Sequence, residues 1–262
     1  MLLVVEVGNT NTKIGVFDHA RLLVSWRLTT RREQTADEYG VFIETLLRTR
    51  GLTPPDIRGV AISNVVPPVE QPLHWMSEKY FGIEPFSVES SEDCGITLAV
   101  DNPREVGADR VVKSVAARTL YGAPLIVIDF GTATTFDCVN THGEFVGGAI
   151  APGLVTSLDA LLSRAARLYR VELVRPPGAI GRNTITNIQS GLIYGYAGLV
   201  DGLVERMKGE MEGTPRVVAT GGHAALVAES TRSIGILNPD LTLEGLRMLY
   251  ERALELKGAG PS

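Results

Sequence analysis

Glu6-Val-Gly-Asn-Thr-Asn-Thr12 and, far down the chain, Asp129-Phe-Gly-Thr-Ala-Thr-Thr135 are two versions of one phrase. Each sets an acidic residue, one spacer and a glycine at the end of an apolar run, then hydroxyl or amide side chains, and each leads into a further strand. Glycine lets backbone N–H groups approach an anion, and the carboxylate can hold a cation against it, so the phrase suits phosphate and metal chemistry. One copy alone reads more readily as an ordinary hairpin turn. Two copies at matching points of two halves favour the chemical reading.

Outward from the first phrase, residues 2–7, 14–17 and 22–28 are β-rich runs separated by turn residues and read as an antiparallel meander. Thr35-Ala-Asp-Glu38 reads as a capping box, opening an amphipathic helix that ends near Gly51. Residues 60–65 read as a strand, 68–80 as a helix and 105–120 as helical in period. The uninterrupted apolar run 125–128 reads as a buried strand that opens the second half. Residues 217–219 read as a strand turning into a helix through Gly221 and Gly222. Over 184–211 an apolar face of Ile188, Leu192, Tyr196, Leu199 and Leu203 recurs at helical spacing, and Gly191, Gly195 and Gly198 allow close approach. The chain thus reads as two α/β lobes, 1–120 and 121–262.

Composition limits the function. Of 262 residues 44% are hydrophobic and 21% charged, the balance of a globular protein rather than a disordered one. No stretch approaches the roughly twenty apolar residues of a membrane span, and the apolar start MLLVVEV runs into an acidic residue, unlike a signal peptide. The expected location is the cytoplasm. The formal charge of −5 disfavours a nucleic-acid partner, which wants a basic face. Cys94 and Cys138 lie in no C-x-x-C arrangement and read as buried small hydrophobes, and His19, His74, His142 and His223 lack ligand spacing, so no structural metal is expected. No Walker A pattern and no G-x-G-x-x-G occurs, against P-loop and Rossmann readings.

Two acidic-Gly-Thr hairpins in one chain resemble the phosphate loops of the acetate and sugar kinase, actin and heat-shock ATPase superfamily. Within it the sequence resembles type III pantothenate kinases. Glu6-Val-Gly-Asn-Thr-Asn-Thr-Lys13 matches that family's first loop and Asp129 to Thr135 its second. Asn102-Pro-Arg-Glu-Val-Gly-Ala-Asp-Arg110 looks like its substrate motif, and Gly147-Gly-Ala-Ile-Ala-Pro-Gly153 like its inter-loop signature. Asn183-Thr184 with Gln189-Ser-Gly191 looks like its interface helix. Thr220-Gly-Gly222 and Asn238-Pro-Asp-Leu-Thr-Leu-Glu-Gly245 complete the order. The resemblance implies two duplicated ribonuclease H-like (actin-like ATPase) lobes with a nucleotide cleft between them, and ATP-dependent phosphorylation of pantothenate to 4'-phosphopantothenate, the first step of coenzyme A biosynthesis.

The same resemblance distributes roles. Asp109 would be the general base for the substrate alcohol, with Arg110 holding pantothenate and Val100, Gly107, Ala108 and Thr184 completing its site. Residues Glu6, Val7, Gly8, Asn9, Thr10, Asn11, Thr12 and Lys13 would cradle the ATP phosphates, Thr132 would meet the nucleotide from the second loop, and Gly221 and Gly222 would line the adenosine. Asp129 would contribute to a monovalent cation site, for potassium or ammonium, while Mg²⁺ travels with the nucleotide. A homodimer is implied, with Thr184 finishing the pantothenate pocket of a neighbouring subunit.

Three positions depart from the family's pattern: Glu6 stands where it has Asp, Val100 where an aromatic residue is common, and Lys113 where Asn is usual. Glu6 is one methylene longer at a place that helps order the nucleotide's metal, which leaves room for a rival reading: a catalytically weakened, ATP-binding regulatory or accessory factor. A sugar or acetate kinase on the same fold would leave the motif at 102–110 without a purpose.

Overall fold

Alternation along β1 (Leu2–Val7) puts Leu3, Val5 and Val7 on one face and Val4 and Glu6 on the other. The computed structural model, which describes residues 1–88, 95–165 and 168–258, builds a sheet on each half of the chain around such a strand. Cys94 lies outside the described residues.

In the first sheet β1 pairs antiparallel with β2 (Asn11–Asp18), and β2 with β3 (Arg21–Thr29). On its other side β1 pairs parallel with β4 (Gly59–Asn64), and β4 with β5 (Phe86–Ser87). In the second sheet β6 (Leu125–Phe130) and β7 (Ala133–Val139) are antiparallel, as are β7 and β8 (Phe145–Pro152). There β6 runs parallel to β9 (Arg216–Thr220), and β9 to β10 (Ile236–Leu237). The orders β3-β2-β1-β4-β5 and β8-β7-β6-β9-β10 are one plan used twice. The repeated phrase is therefore the visible part of a repeated ribonuclease H-like lobe.

The helices are α1 (Ala36–Arg48), α2 (Glu70–Phe81), α3 (Ala108–Tyr121), α4 (Leu154–Arg164), α5 (Thr184–Glu210), α6 (Ala224–Ala228) and α7 (Leu241–Gly258). Among the described residues no helix is long and apolar enough to cross a membrane. The chain divides into one unit of Met1–Thr97, Asp101–Ala116 and Leu241–Ser262 and another of Leu98–Val100 and Ala117–Asp240.

In the first unit the expected capping box starts α1: Thr35 N–H donates to Glu38 Oε2 at 2.8 Å and Glu38 N–H to Thr35 Oγ1 at 3.2 Å. Tyr39, Ile43 and Leu47 of α1 and Leu73 and Met76 of α2 cover Leu3, Val5 and Val7, all of them buried. The last helix, α7, returns to this unit and packs on β1, β2 and β4. Its Gly245 lies against α3, where a Cβ would run into the Val112 carbonyl. Through that contact α7 fixes α3, whose first turn carries Asp109.

In the second unit Ile126, Ile128, Phe130, Phe136 and Cys138 are buried under α4, α5 and α6. Asn183 caps α5 by accepting the Thr186 N–H at 2.9 Å. The apolar face read from sequence is consumed within this unit: Ile188, Leu192 and Tyr196 are buried, and Leu199 and Leu203 are partly buried beside them. Gly191, Gly195 and Gly198 have open space at their Cα atoms.

Replacing Gly245 by Ala improves helix propensity by up to about 1 kcal/mol, but overpacking against backbone that cannot yield costs about 1–3 kcal/mol. The second effect wins, so Gly245→Ala lowers Tm by several degrees in a thermal melt. An unchanged or raised Tm would show that α7 does not clamp α3.

Candidate active site

Each phosphate-loop candidate begins where a central strand ends. After β1, the Gly8 N–H donates to Asn11 O at 3.0 Å and closes the turn, leaving Asn9 and Thr10 exposed. The side chains of Val7 and Thr12 point into the protein at 1% exposure each, so they offer a ligand only backbone. Glu6, Lys13 and Arg27 align across β1, β2 and β3. Lys13 is thus attracted by Glu6 on one side and repelled by Arg27 on the other. Glu6 Oε1 lies 3.4 Å from the position a Gly8 Cβ would take, so the longer carboxylate reaches under the turn that glycine leaves open.

Thr30, which no sequence pattern singled out, ties this turn down. Its hydroxyl donates to Gly8 O at 2.7 Å and lies 3.0 Å from Thr12 Oγ1, and its N–H donates to Thr10 O at 3.0 Å.

The second loop repeats the device. The Gly131 N–H donates to Ala133 O at 3.0 Å. Thr132 is exposed, and its carbonyl accepts from the Gly153 N–H at 3.0 Å and from Thr156 Oγ1 at 2.7 Å. Thr156 thus holds the second turn as Thr30 holds the first. Two glycines make the approach possible. A Cβ on Gly153 would collide with the Gly131 and Thr132 carbonyls, and one on Gly221, whose φ is +96°, would collide with Asp129 Oδ1. Gly222 follows exposed, ahead of α6.

Asp129 is half-buried at the end of β6, in register with Thr135 on β7 and Thr220 on β9. The hydroxyls of Thr135 and Thr220 are buried with no hydrogen-bond partner. A carboxylate between two unsatisfied hydroxyls is an all-oxygen donor set, which fits a hard cation.

Gly107 to Arg110 form the start of α3 in the first unit. The Asp109 side chain is 26% exposed, and its Oδ2 accepts from Lys113 Nζ at 2.7 Å, one helical turn on. Lys113 is 1% exposed and among the largest fully buried side chains. Burial pushes the Asp109 carboxyl up, but the Lys113 ammonium, helped by the Arg110 N–H and guanidinium, holds it below the usual carboxylate value. Oδ1 stands over Gly107, 2.8 Å from where a Cβ would be. Val100, half-buried, belongs to the second unit, as does Thr184, exposed as the first residue of α5. Val100 Cγ1 lies 3.9 Å from the position of a Cβ on Gly147.

Two α/β units on one plan, each presenting a glycine turn beside a carboxylate, place the chain among duplicated ribonuclease H-like proteins. Solved structures agree on the fold. A Campylobacter jejuni protein described as a Baf family transcriptional activator superposes with a TM-score of 0.61 at 18% identity, covering 97% of this chain and 99% of its own. The activator of 2-hydroxyisocaproyl-CoA dehydratase from Clostridium difficile, with bound ADPNP, gives 0.60 at 13% identity, covering 100% and 98%. At such identities these likenesses show the fold alone. The type III pantothenate kinase family model matches residues 2–206. Curated type III pantothenate kinases are 50% identical in Geobacillus kaustophilus over 98% of this chain, and 52% identical in Geobacter sulfurreducens over 97%, with each relative covered over its full length. The chain belongs to the type III pantothenate kinase family.

Removing the Thr30 hydroxyl forfeits a hydrogen bond of about 0.5–1.5 kcal/mol to the first turn. In Thr30→Val, amide hydrogen exchange across residues 6–13 should therefore quicken by roughly two- to tenfold, and Thr30→Ser should restore it. Unchanged exchange would show that the turn stands without this brace.

Proposed function

We propose that this protein transfers the γ-phosphate of ATP to the primary alcohol of pantothenate, giving 4'-phosphopantothenate for coenzyme A biosynthesis in the cytoplasm. The observation that carries this reading is the Asp109 carboxylate, kept ionised at a helix start beside Arg110, in a chain about half identical to named type III pantothenate kinases. In the transfer, the pantothenate alcohol oxygen bonds to the γ-phosphorus as the bond to the bridging oxygen breaks, and ADP leaves. Asp109 accepts the alcohol proton late, as suits a loose transition state, and Arg110 holds the substrate through its planar fork.

The other N–H groups of the turns that Gly8 and Gly131 close would meet phosphate oxygens, with Lys13 adding positive charge and Thr132, Gly221 and Gly222 meeting the nucleotide. Mg²⁺ bound with ATP would neutralise phosphate charge, and the Glu6 carboxylate would help order its water shell. A potassium or ammonium ion would be held by Asp129, with Thr135 and Thr220 as the further oxygen donors. The working form is a homodimer, in which the open stripe of Gly191, Gly195 and Gly198 leaves room for a second α5, and Thr184 completes the pantothenate pocket of the neighbouring subunit.

Asp109→Asn should lower pantothenate-dependent ADP release by roughly a hundredfold or more, the scale of a lost general base, with ATP binding retained. Equal turnover in the mutant would remove Asp109 from this role. Thr184→Ala should raise the pantothenate KM and leave the ATP KM near wild type, because the exposed Thr184 is assigned to that substrate alone. A matched rise in both constants would instead mean that the change disrupts the assembly.

A further inference from the structure

A lysine that is 1% exposed needs a partner, since a buried ammonium without one would shed its proton or unfold the site. One partner of Lys113 is the side chain proposed to do the chemistry. Its Nζ lies 2.7 Å from Asp109 Oδ2, on the same face of α3 one turn later. The two residues differ in exposure: the lysine is enclosed, while a quarter of the aspartate surface remains open. An ion pair serving stability alone has no need of that asymmetry, whereas a base gripped from behind does. Oδ1, the other carboxylate oxygen, stands over the bare Cα of Gly107.

We propose that Lys113 is a positioning residue for the transfer: it holds Oδ2 from inside the protein, so that Oδ1 is the oxygen presented to the substrate alcohol. This rests on the reading of Asp109 as the base. A carboxylate free to rotate about χ2 would offer either oxygen at varying angles, and misplacement on the order of 1 Å can cost about a hundredfold in rate. Lys113 also bears on the protonation state. Burial raises the carboxyl, and the charge and hydrogen bond of Lys113 together with Arg110 more than offset it, so without the lysine the burial would be less compensated and Asp109 would move upward. The charges acting on Asp109 from α3 are those of Lys113 and Arg110. On α7, whose Gly245 packs over Val112, the charged residues nearest in sequence are Glu244, Arg247 and Glu251, and the Arg247 guanidinium is 2.5 Å from Glu251 and stacked on Phe17.

The sign follows. A base whose pKa is held down stays ionised to low pH, so removing Lys113 should displace the acidic limb of kcat/KM for pantothenate to higher pH. The test compares Lys113→Met, which keeps the stem and removes the charge, with Lys113→Gln, which removes the charge but keeps an N–H donor near Oδ2 and thereby protects the fold. Both should show the displaced limb with the ATP KM unchanged. Lys113→Met should lose about ten- to a hundredfold in kcat, and Lys113→Gln should lose less because Oδ2 is still held. A folded variant of either kind with the wild-type pH profile and kcat overturns the inference. Asp109→Asn, assayed alongside, separates the two levels. If it is inactive while the Lys113 variants behave as wild type, only the positioning role falls; if it turns over normally, the base assignment itself fails.

Discussion

The nucleotide side of this protein depends on one constraint: at the ends of two central strands the backbone must turn tightly with no side chain in the way. At Gly8 and Gly131 the turn is closed by a backbone hydrogen bond of 3.0 Å in each lobe. The surroundings are built to keep it so. Thr30 and Thr156 each donate a hydroxyl to a carbonyl of the turn at 2.7 Å. Gly153 and Gly221 pass so close to the second turn that any side chain would collide with it. Rigid turns of this kind pay no reorganisation when charge develops in a transferring phosphoryl group, which is where electrostatic catalysis gains most.

The substrate side is built differently. Asp109 is positioned by a helix start rather than by a turn, and the helix is placed by a close contact in which Gly245 of α7 leaves room for the Val112 carbonyl. The cost of burying a charge beneath the base is met by the base itself, since Lys113 and Asp109 neutralise each other. Removing one partner of such a pair leaves the other uncompensated, at a typical cost of about 3–5 kcal/mol. Stability and base orientation are therefore coupled at this point.

What could be read from sequence follows how local each cause is. The phrase repeated at Glu6 and Asp129 announced the duplicated lobes because strand ending, glycine and carboxylate all lie within a few residues, and the capping box at Thr35 set the start of α1 for the same reason. The two-residue strands β5 and β10 carry no period to read, since their pairing is imposed by β4 and β9. The return of α7 to the first unit, where it packs on β1, β2 and β4 and passes Val112 at Gly245, rests on contacts far apart in the chain. Thr30 and Thr156 act on carbonyls across the fold and looked like ordinary hydroxyl residues. Lys113 was legible only as a departure from the family's pattern. Its four-residue spacing from Asp109 within a helical segment was the signal that could have shown the pair.

The most direct test of the central claim is phosphorus NMR of purified protein with ATP and Mg²⁺, supplied in turn with pantothenate, with a hexose and with acetate. ADP and a new phosphomonoester resonance should grow together only when pantothenate is present. Release of inorganic phosphate regardless of acceptor, or phosphoryl transfer to the hexose or to acetate, would contradict it.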